Sequence, residues 1–412
     1  MMQPNQDNAR PTVDFNPTAP GYTENPYPVY AKLREAPVLY WPEGHAWIVS
    51  RHNEIQSILR DPRFTSDRRA WSLAEQMTQQ GSFPEIEELN KYGLFSLPNK
   101  DHARVRKLVS PALTPRAVER LRPQIQAIVD ERLDSFAGKS VIDVVHDFAE
   151  HVPVRVISKM LNIPEERDAA FHQFAESAVK QLFVMLLSPE ERERMRVGIR
   201  DGMAMVGEVI EDRRKNPIEG DILTSLIQSE EQGDRLSKPE LISLVAALLV
   251  GGSETTVHLI SFMVNILLKR PELIAQAQAE PELMKGVVEE VLRFDNFGKF
   301  GTFRYATENV EIGGVRVAKG DAVILFFSAA LHDEAVYANP QEFDPRRDAT
   351  GSLTFGHGAH YCIGANLARM EGQIAVASLF RRFPGMKMES EPTFGPHPAI
   401  RKMDSFKVRL GA

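Results

Sequence analysis

The sequence holds one cysteine, Cys362, in 412 residues, so no disulfide can form within the chain and no four-thiolate metal centre can be built from it. That usage fits a reducing cytoplasm. Positive charge is not in excess: 49 Lys and Arg stand against 56 Asp and Glu, a net charge of -7, which gives no overall field for a polyanion and argues against nucleic acid as a partner. No apolar run approaches the roughly 18 residues of a membrane span; the longest, Leu244 to Val250, continues into Gly251-Gly252-Ser253-Glu254. The start, Met1 to Asp7, carries neither a basic cluster nor an apolar stretch, so no secretory signal or anchor is expected. A P-loop and a complete Gly-x-Gly-x-x-Gly fingerprint are missing as well, as are internal repeats and Gly/Ser-rich linkers. With 43% hydrophobic and 25% charged residues the composition is globular. The expectation is one soluble, monomeric domain over 1–412 with a polar arm over 1–25.

Apolar residues at three- and four-residue spacing predict an almost wholly helical stretch from about Pro115 to Arg270. Before it, a short helix over Tyr27 to Ala36 leads into Val38-Leu39-Tyr40 and Trp47-Ile48-Val49, joined as a hairpin by Pro42-Glu43-Gly44. After about Phe300 come β-like pieces, Val310 to Ile312, Val315 to Val317 and Ala322 to Phe326, then a last helix from Asn366 to Phe383. The fold class is therefore mainly α with small β-sheets. Trp71 to Pro98 mixes aromatic and apolar residues with Gly and Pro, and reads either as a functional lid or as a packed surface helix. Leu182 to Leu187 is a second lid candidate, with core burial as the alternative; Ser188-Pro189-Glu190-Glu191 after it is a helix start with Ser188 as cap.

Chemistry gathers around the only thiol. Phe355-Gly356-His357-Gly358-Ala359-His360-Tyr361-Cys362-Ile363-Gly364 places Cys362 on a glycine-punctuated loop just before a predicted helix. The free N–H groups and partial positive charge of a helix start favour a sulfur anion, which makes Cys362 a candidate metal ligand or nucleophile. Gly356, Gly358 and Gly364 let the backbone approach a flat ligand closely. A zinc site from His357, His360 and Cys362 would crowd its ligands into one short loop, and a dinucleotide loop would lack its third glycine.

This decapeptide resembles the haem-binding loop of the cytochrome P-450 family, in which the cysteine thiolate is the axial iron ligand. The resemblance spans nearly the whole chain. It implies a haem b held between a long central helix, about 237–268, and the Cys362 loop, with Phe355, Gly356, His360 and Gly364 as cofactor contacts. His102-Ala103-Arg104-Val105-Arg106-Lys107 resembles the haem-clasping helix, so that His102, Arg106 and Arg304, with His360, are expected to hold the two propionates. Arg104 and Lys107 then point away, as a docking patch or as solvated charge. Glu290-Val291-Leu292-Arg293 and Arg347 resemble the buried triad that fixes the chain around the loop, a structural role. The run Val250-Gly251-Gly252-Ser253-Glu254-Thr255-Thr256 resembles the oxygen-activation motif: two mid-helix glycines cost roughly 1 kcal/mol each relative to alanine, small residues let the helix lie over a macrocycle, and a hydroxyl bonded to a carbonyl four residues back opens the helix locally. Glu254 and Thr255 are then the expected proton relay.

The family resemblance implies a haem-thiolate monooxygenase that uses O2 and two electrons to hydroxylate or epoxidise a hydrophobic small molecule. With no reductase segment expected, the electrons would come from a ferredoxin or flavodoxin with its NAD(P)H reductase. Lys91 to Phe95, His102 to Val109 and Glu290 to Asn296 resemble a macrolide-epoxidising member, which implies a polyketide or macrolide, with fatty acids, terpenoids and steroids left open. Leu94, Phe95, Leu182, Ala247, Val250, Gly251, Phe297 and Phe300 are the candidate substrate contacts. After Arg293 the chain reads Phe294-Asp295-Asn296-Phe297-Gly298, without the family's usual proline. A non-catalytic haem gas sensor and a cysteine-nucleophile hydrolase are the alternatives from other classes.

Overall fold

Strands Ala46–Val49 and Ala322–Leu325 are buried at every position, and their alternate side chains enter two different cores. Trp47, Val49, Val323 and Leu325 face one, and Ala46, Ile48, Ala322 and Ile324 the other, as the two-residue period of a strand dictates. With β1 as Val38–Trp41, β2 as Ala46–Val49, β3 as Phe64–Thr65, β4 as Thr302–Ala306 and β5 as Ala322–Leu325, the sheet runs β1-β2-β5-β4-β3. The β1–β2 hairpin forms where Pro42-Glu43-Gly44 predicts it, and β5 lies parallel to β2 but antiparallel to β4. This computed structural model describes residues 10–17, 19–75, 83–94, 97, 99–181, 187–231, 234–299, 301–395, 397 and 400–411.

Helices build the larger part around a third, wholly separate core. Those that frame the site are α1 (Asn99–Val109), α2 (Lys238–Gly252), α3 (Glu254–Leu268), α4 (Leu283–Phe294) and α5 (Ala365–Arg382). A capping box between Ser237 and Glu240 starts α2. Together α2 and α3 are long and apolar enough to cross a membrane, yet 67% of their most apolar window is buried by neighbouring helices, the position of a core helix. The expected single central helix, about 237–268, is thus realised as two segments meeting at Ser253, whose backbone leaves the ideal helical angles (ψ -75°).

Trp71 to Pro98 contains a helix, Pro84–Tyr92, with Ile86 and Leu89 buried, so that part is a packed helix rather than an open loop. Residues 182–186 lie outside the described residues; after them Ser188 and Glu191 form a capping box at the start of Pro189–Lys215. The turn after α4 is held by Asn296. Its Nδ2 donates to Leu292 O at 3.0 Å, its Oδ1 accepts from Gly298 N–H at 2.9 Å, and the Ser328 hydroxyl lies 2.8 Å from the same oxygen. An amide therefore fixes the course that a proline ring would otherwise restrict.

Candidate active site

The Cys362 loop is closed by its own backbone. Cys362 N–H donates to Phe355 O at 2.9 Å and Tyr361 N–H to Gly358 O at 3.0 Å, and Gly356 and Gly358 take φ of 74° and 70°, angles that a side chain would strain. Arg369 on α5 stacks on Phe355, 4.4 Å from the ring centre, while bridging Glu289 and the Tyr361 hydroxyl. Cys362 thus leads into α5 with its sulfur facing an internal cavity of about 790 Å³. Burial pushes the thiol up from its ordinary value; N–H groups of Gly364 and Ala365, with Arg106 and Arg369, pull the other way. A thiolate here is supported by charge and hydrogen bonds but needs a further cation to be fully stabilised.

Across the cavity lies the α2–α3 junction. Thr255 donates from Oγ1 to Gly251 O at 2.6 Å, and Ser253 from Oγ to Leu249 O at 2.5 Å, the back-bonding expected to loosen a helix. Gly251 and Thr255 both line the cavity, Gly251 on its exposed side. Gly252 lines the cavity too, and a Cβ there would stand 2.8 Å from the Ile157 Cδ1, an end methyl that can turn aside.

The rim holds four basic groups. His102 and His360 stack with ring centres 4.0 Å apart. Arg106 donates to Tyr361 O, and Arg304 to Phe303 O at 2.8 Å and Thr302 Oγ1 at 3.3 Å. None of the four pairs with a carboxylate among the described residues. Burial and the neighbouring positive charges hold His360 down to about 3, burial takes Arg304 to about 10, and both also lower His102. Positive potential without a counter-charge marks a place for anions.

These residues fit haem. A flat ligand between Gly251 and Cys362 would place two propionates against His102, Arg106, Arg304 and His360, and a Cβ added to Gly364, which lines the same space, meets no atom within 4 Å. Phe355, Gly356 and Gly364 also line the cavity, as do Leu94, Ala247 and Phe297 among the substrate candidates. Val250 does not; it packs toward the helical core. Phe95, Leu182 and Phe300 lie outside the described residues. Glu254 does not line the cavity but sits beside it, with burial raising its carboxyl. The structural triad is assembled: Arg293 grips Glu290 with two bonds of 2.8 Å, and Arg347 Nε reaches Glu290 at 3.3 Å. Arg104 pairs with Glu240.

One cavity group escaped the sequence reading. Glu371 on α5 is 1% exposed, its Oε2 has no partner among the described residues, and burial raises it to about 8. A carboxylate between Leu367, Met370 and Ile374 on one helical stripe was its only sequence signal. Between its ordinary value of 4.5 and about 8, the folded chain keeps a proton that the unfolded chain has lost. Stability therefore falls as pH rises through that window, by up to about 1.4 kcal/mol per unit. Urea titrations at about pH 5 and about pH 8 should show this loss in the wild type and its absence in Glu371→Gln; equal slopes would place that proton outside the folding equilibrium.

The family model for cytochrome P450 matches residues 73–399. The chain is 44% identical to the epothilone C/D epoxidase of Sorangium cellulosum over 99% of its own length and 98% of that protein's. It is 33% identical to the 6-deoxyerythronolide B hydroxylase of Saccharopolyspora erythraea, covering 93% and 96%. Epothilone B-bound cytochrome P450epoK superposes with a TM-score of 0.91 at 44% identity, over 97% of this chain and all of that one. Cavity, thiol loop, helix junction and likeness agree, and the chain belongs to the cytochrome P450 family as a haem-thiolate monooxygenase.

Proposed function

We propose that this monooxygenase oxidises a polyketide or macrolide, with Cys362 as haem ligand and with Glu254 and Thr255 supplying protons. The observation that carries the substrate class is the cavity itself: beyond the space beside Cys362 it is walled by Leu94, Leu244, Ala247, Leu248 and Phe297, with the basic groups confined to one rim. A large, mostly apolar chamber selects by shape and by exclusion of water. The epothilone and 6-deoxyerythronolide B relatives support the same class. Haem, when bound through the thiolate, supplies activation of dioxygen and insertion of one oxygen atom into a C–H bond or alkene.

The chain's own part is orientation and proton traffic. Gly251 leaves room over the cavity floor, Phe297 and Leu94 hold the substrate, and Thr255 holds a proton at Oγ1 within the cavity. Glu254, its carboxyl raised by burial, stores the next proton one residue away. Electrons come from a ferredoxin or flavodoxin with its NAD(P)H reductase, and the chain works as a cytoplasmic monomer; the single cysteine fits that compartment.

Binding titrations of the ferric holoenzyme test the substrate class. An alkene-bearing macrolide should displace the water-ligated spectrum at micromolar levels, whereas a chain that responds only to fatty acids or steroids overturns it. In Thr255→Ala, haem content and substrate binding should persist while product per electron pair falls by at least about tenfold and hydrogen peroxide takes its place. Unchanged coupling would remove Thr255 from the relay.

A further inference from the structure

The cavity wall after α4, Asp295 to Lys299, is irregular backbone apart from a bridge at Gly298, and such backbone keeps its course only where its polar groups are bonded. Asn296 secures it from within. From outside it is held by Arg401, whose N–H donates to Phe297 O at 2.7 Å, next to the antiparallel bridge between Gly298 and Ile400. The Arg401 side chain pairs with the Asp295 carboxylate, donates from Nε to Thr23 O at 2.8 Å, and lies 5.3 Å from the Phe262 ring centre on α3. Thr23 is itself well anchored. Val13, Phe15 and Tyr22 are buried in one core with Ile48 and Ile324, so this part of the expected polar arm over 1–25 is packed. From the same segment the Tyr22 hydroxyl donates to Lys299 O at 3.0 Å, and the Tyr27 hydroxyl to Phe294 O at 3.3 Å. Both ends of the wall are thus gripped, and between them Phe297 lines the cavity.

We propose that Arg401, with Tyr22, is a positioning residue for the oxidation: it sets where the Phe297 ring stands in the chamber, and so which carbon of the substrate is presented. This rests on the reading of Phe297 as a substrate contact and of the substrate as a macrolide. Arg401 does not line the cavity and acts only through Phe297.

The chemistry of the clamp suits that task. An apolar substrate offers few polar handles, so its pose is set by the walls, and a misplacement of about 1 Å is enough to change what reacts. Tyr22, Lys299 and Arg401 are each no more than 3% exposed, so water does not compete for their bonds. One planar guanidinium serves a carboxylate and a carbonyl in different directions, whereas a lysine ammonium is a point on a flexible stem.

The test uses holoenzyme of Tyr22→Phe, which loses one hydroxyl and keeps the ring, and of Arg401→Lys, which keeps the charge beside Asp295. Tyr22→Phe carries the test alone where Arg401→Lys loses haem. With a surrogate ferredoxin and its reductase, the probe is the unsaturated macrocyclic lactone ambrettolide, which yields an epoxide or allylic alcohols according to the carbon that takes the oxygen. The ratio of major to minor product should fall about fivefold in Tyr22→Phe, the effect of one hydrogen bond, and further in Arg401→Lys, while haem content and summed turnover hold. Ile210→Val, a core change on the helix Pro189–Lys215, which does not line the cavity, should leave the ratio alone. A ratio unchanged in both wall variants, or shifted equally by Ile210→Val, overturns the proposal. A second arm needs no substrate: imidazole reaches only the iron, whereas the aryl groups of clotrimazole extend toward the walls. Clotrimazole should bind both ferric wall variants about fivefold more weakly, with imidazole unchanged; equal weakening of the two ligands means general loosening and overturns the positioning role. A wild type that neither binds nor oxidises ambrettolide instead overturns the macrolide reading, and the azole pair then decides for Arg401.

Discussion

In Cys362→Ser the dithionite-reduced, carbon monoxide-bound protein loses its strongly red-shifted Soret band, and substrate oxidation falls to background. Cys362→His keeps haem colour but not oxygenation. The expectation follows from what surrounds the sulfur. N–H groups of Gly364 and Ala365, with Arg106 and Arg369, oppose the burial that raises the thiol, so the site is arranged to hold an anion. Serine is too weak an acid to accept that role, and imidazole brings no negative charge to the iron. The Cys362 N–H to Phe355 O bond and the Arg369 stack on Phe355 use no sulfur atom, so the loop itself should survive either change. Absorption spectra of the reduced carbon monoxide complexes decide the matter. A red-shifted band retained by Cys362→Ser would show that sulfur is not the ligand, and the oxygenase reading of the cavity would go with it.

The thiol loop was legible because its parts are contiguous: three glycines, a phenylalanine, two histidines and a cysteine within ten residues fix one backbone shape. The hairpin and the β-pieces after Phe300 were legible for the same reason, since turn residues and two-residue alternation are local. The cavity face of α2 was half-legible. At roughly 100° per residue, Leu244, Ala247, Leu248 and Gly251 fall on one side of α2 and line the cavity, whereas Val250 lies at the edge of that face, about 60° beyond Ala247, and does not reach it. The helical period puts it at the border, and only the packing decides.

Residues joined only by the fold were out of reach. Asn296 replaces a proline through Ser328, thirty-two positions on, and nothing near Asn296 in sequence announces that partner. His397 meets Glu254 from the far end of the chain, and Glu371 gains its meaning only from a cavity whose other walls come from α2 and from β4. Single titratable residues among apolar neighbours carry little local signal; their partners, or lack of them, are set by packing.

Glu290→Ala should destabilise the protein by about 3–5 kcal/mol, the cost of breaking a buried ion pair on one side. Both side chains are 3% exposed, and Glu290 also accepts the Asp344 N–H at 2.9 Å and Arg347 at 3.3 Å. Arg293 spends its remaining donors on Leu331 O, Pro340 O and Glu342 O. Removing the carboxylate leaves a guanidinium in the interior with carbonyls but no counter-charge, and frees the segment around Asp344 that leads toward the thiol loop. Glu290→Gln keeps the shape and some hydrogen bonds but not the charge, and should lie between the variant and the wild type. The destabilisation reads out as a lower urea midpoint and as faster haem loss, because the loop's support is loosened before its own bonds are touched. Arg293→Ala should cost a similar amount, and the double variant less than the sum, since each single change strands the other partner. Strict additivity of the two would mean that the pair is not a unit, and that the bonds from Arg293 to the carbonyls, rather than its charge, hold this part of the fold.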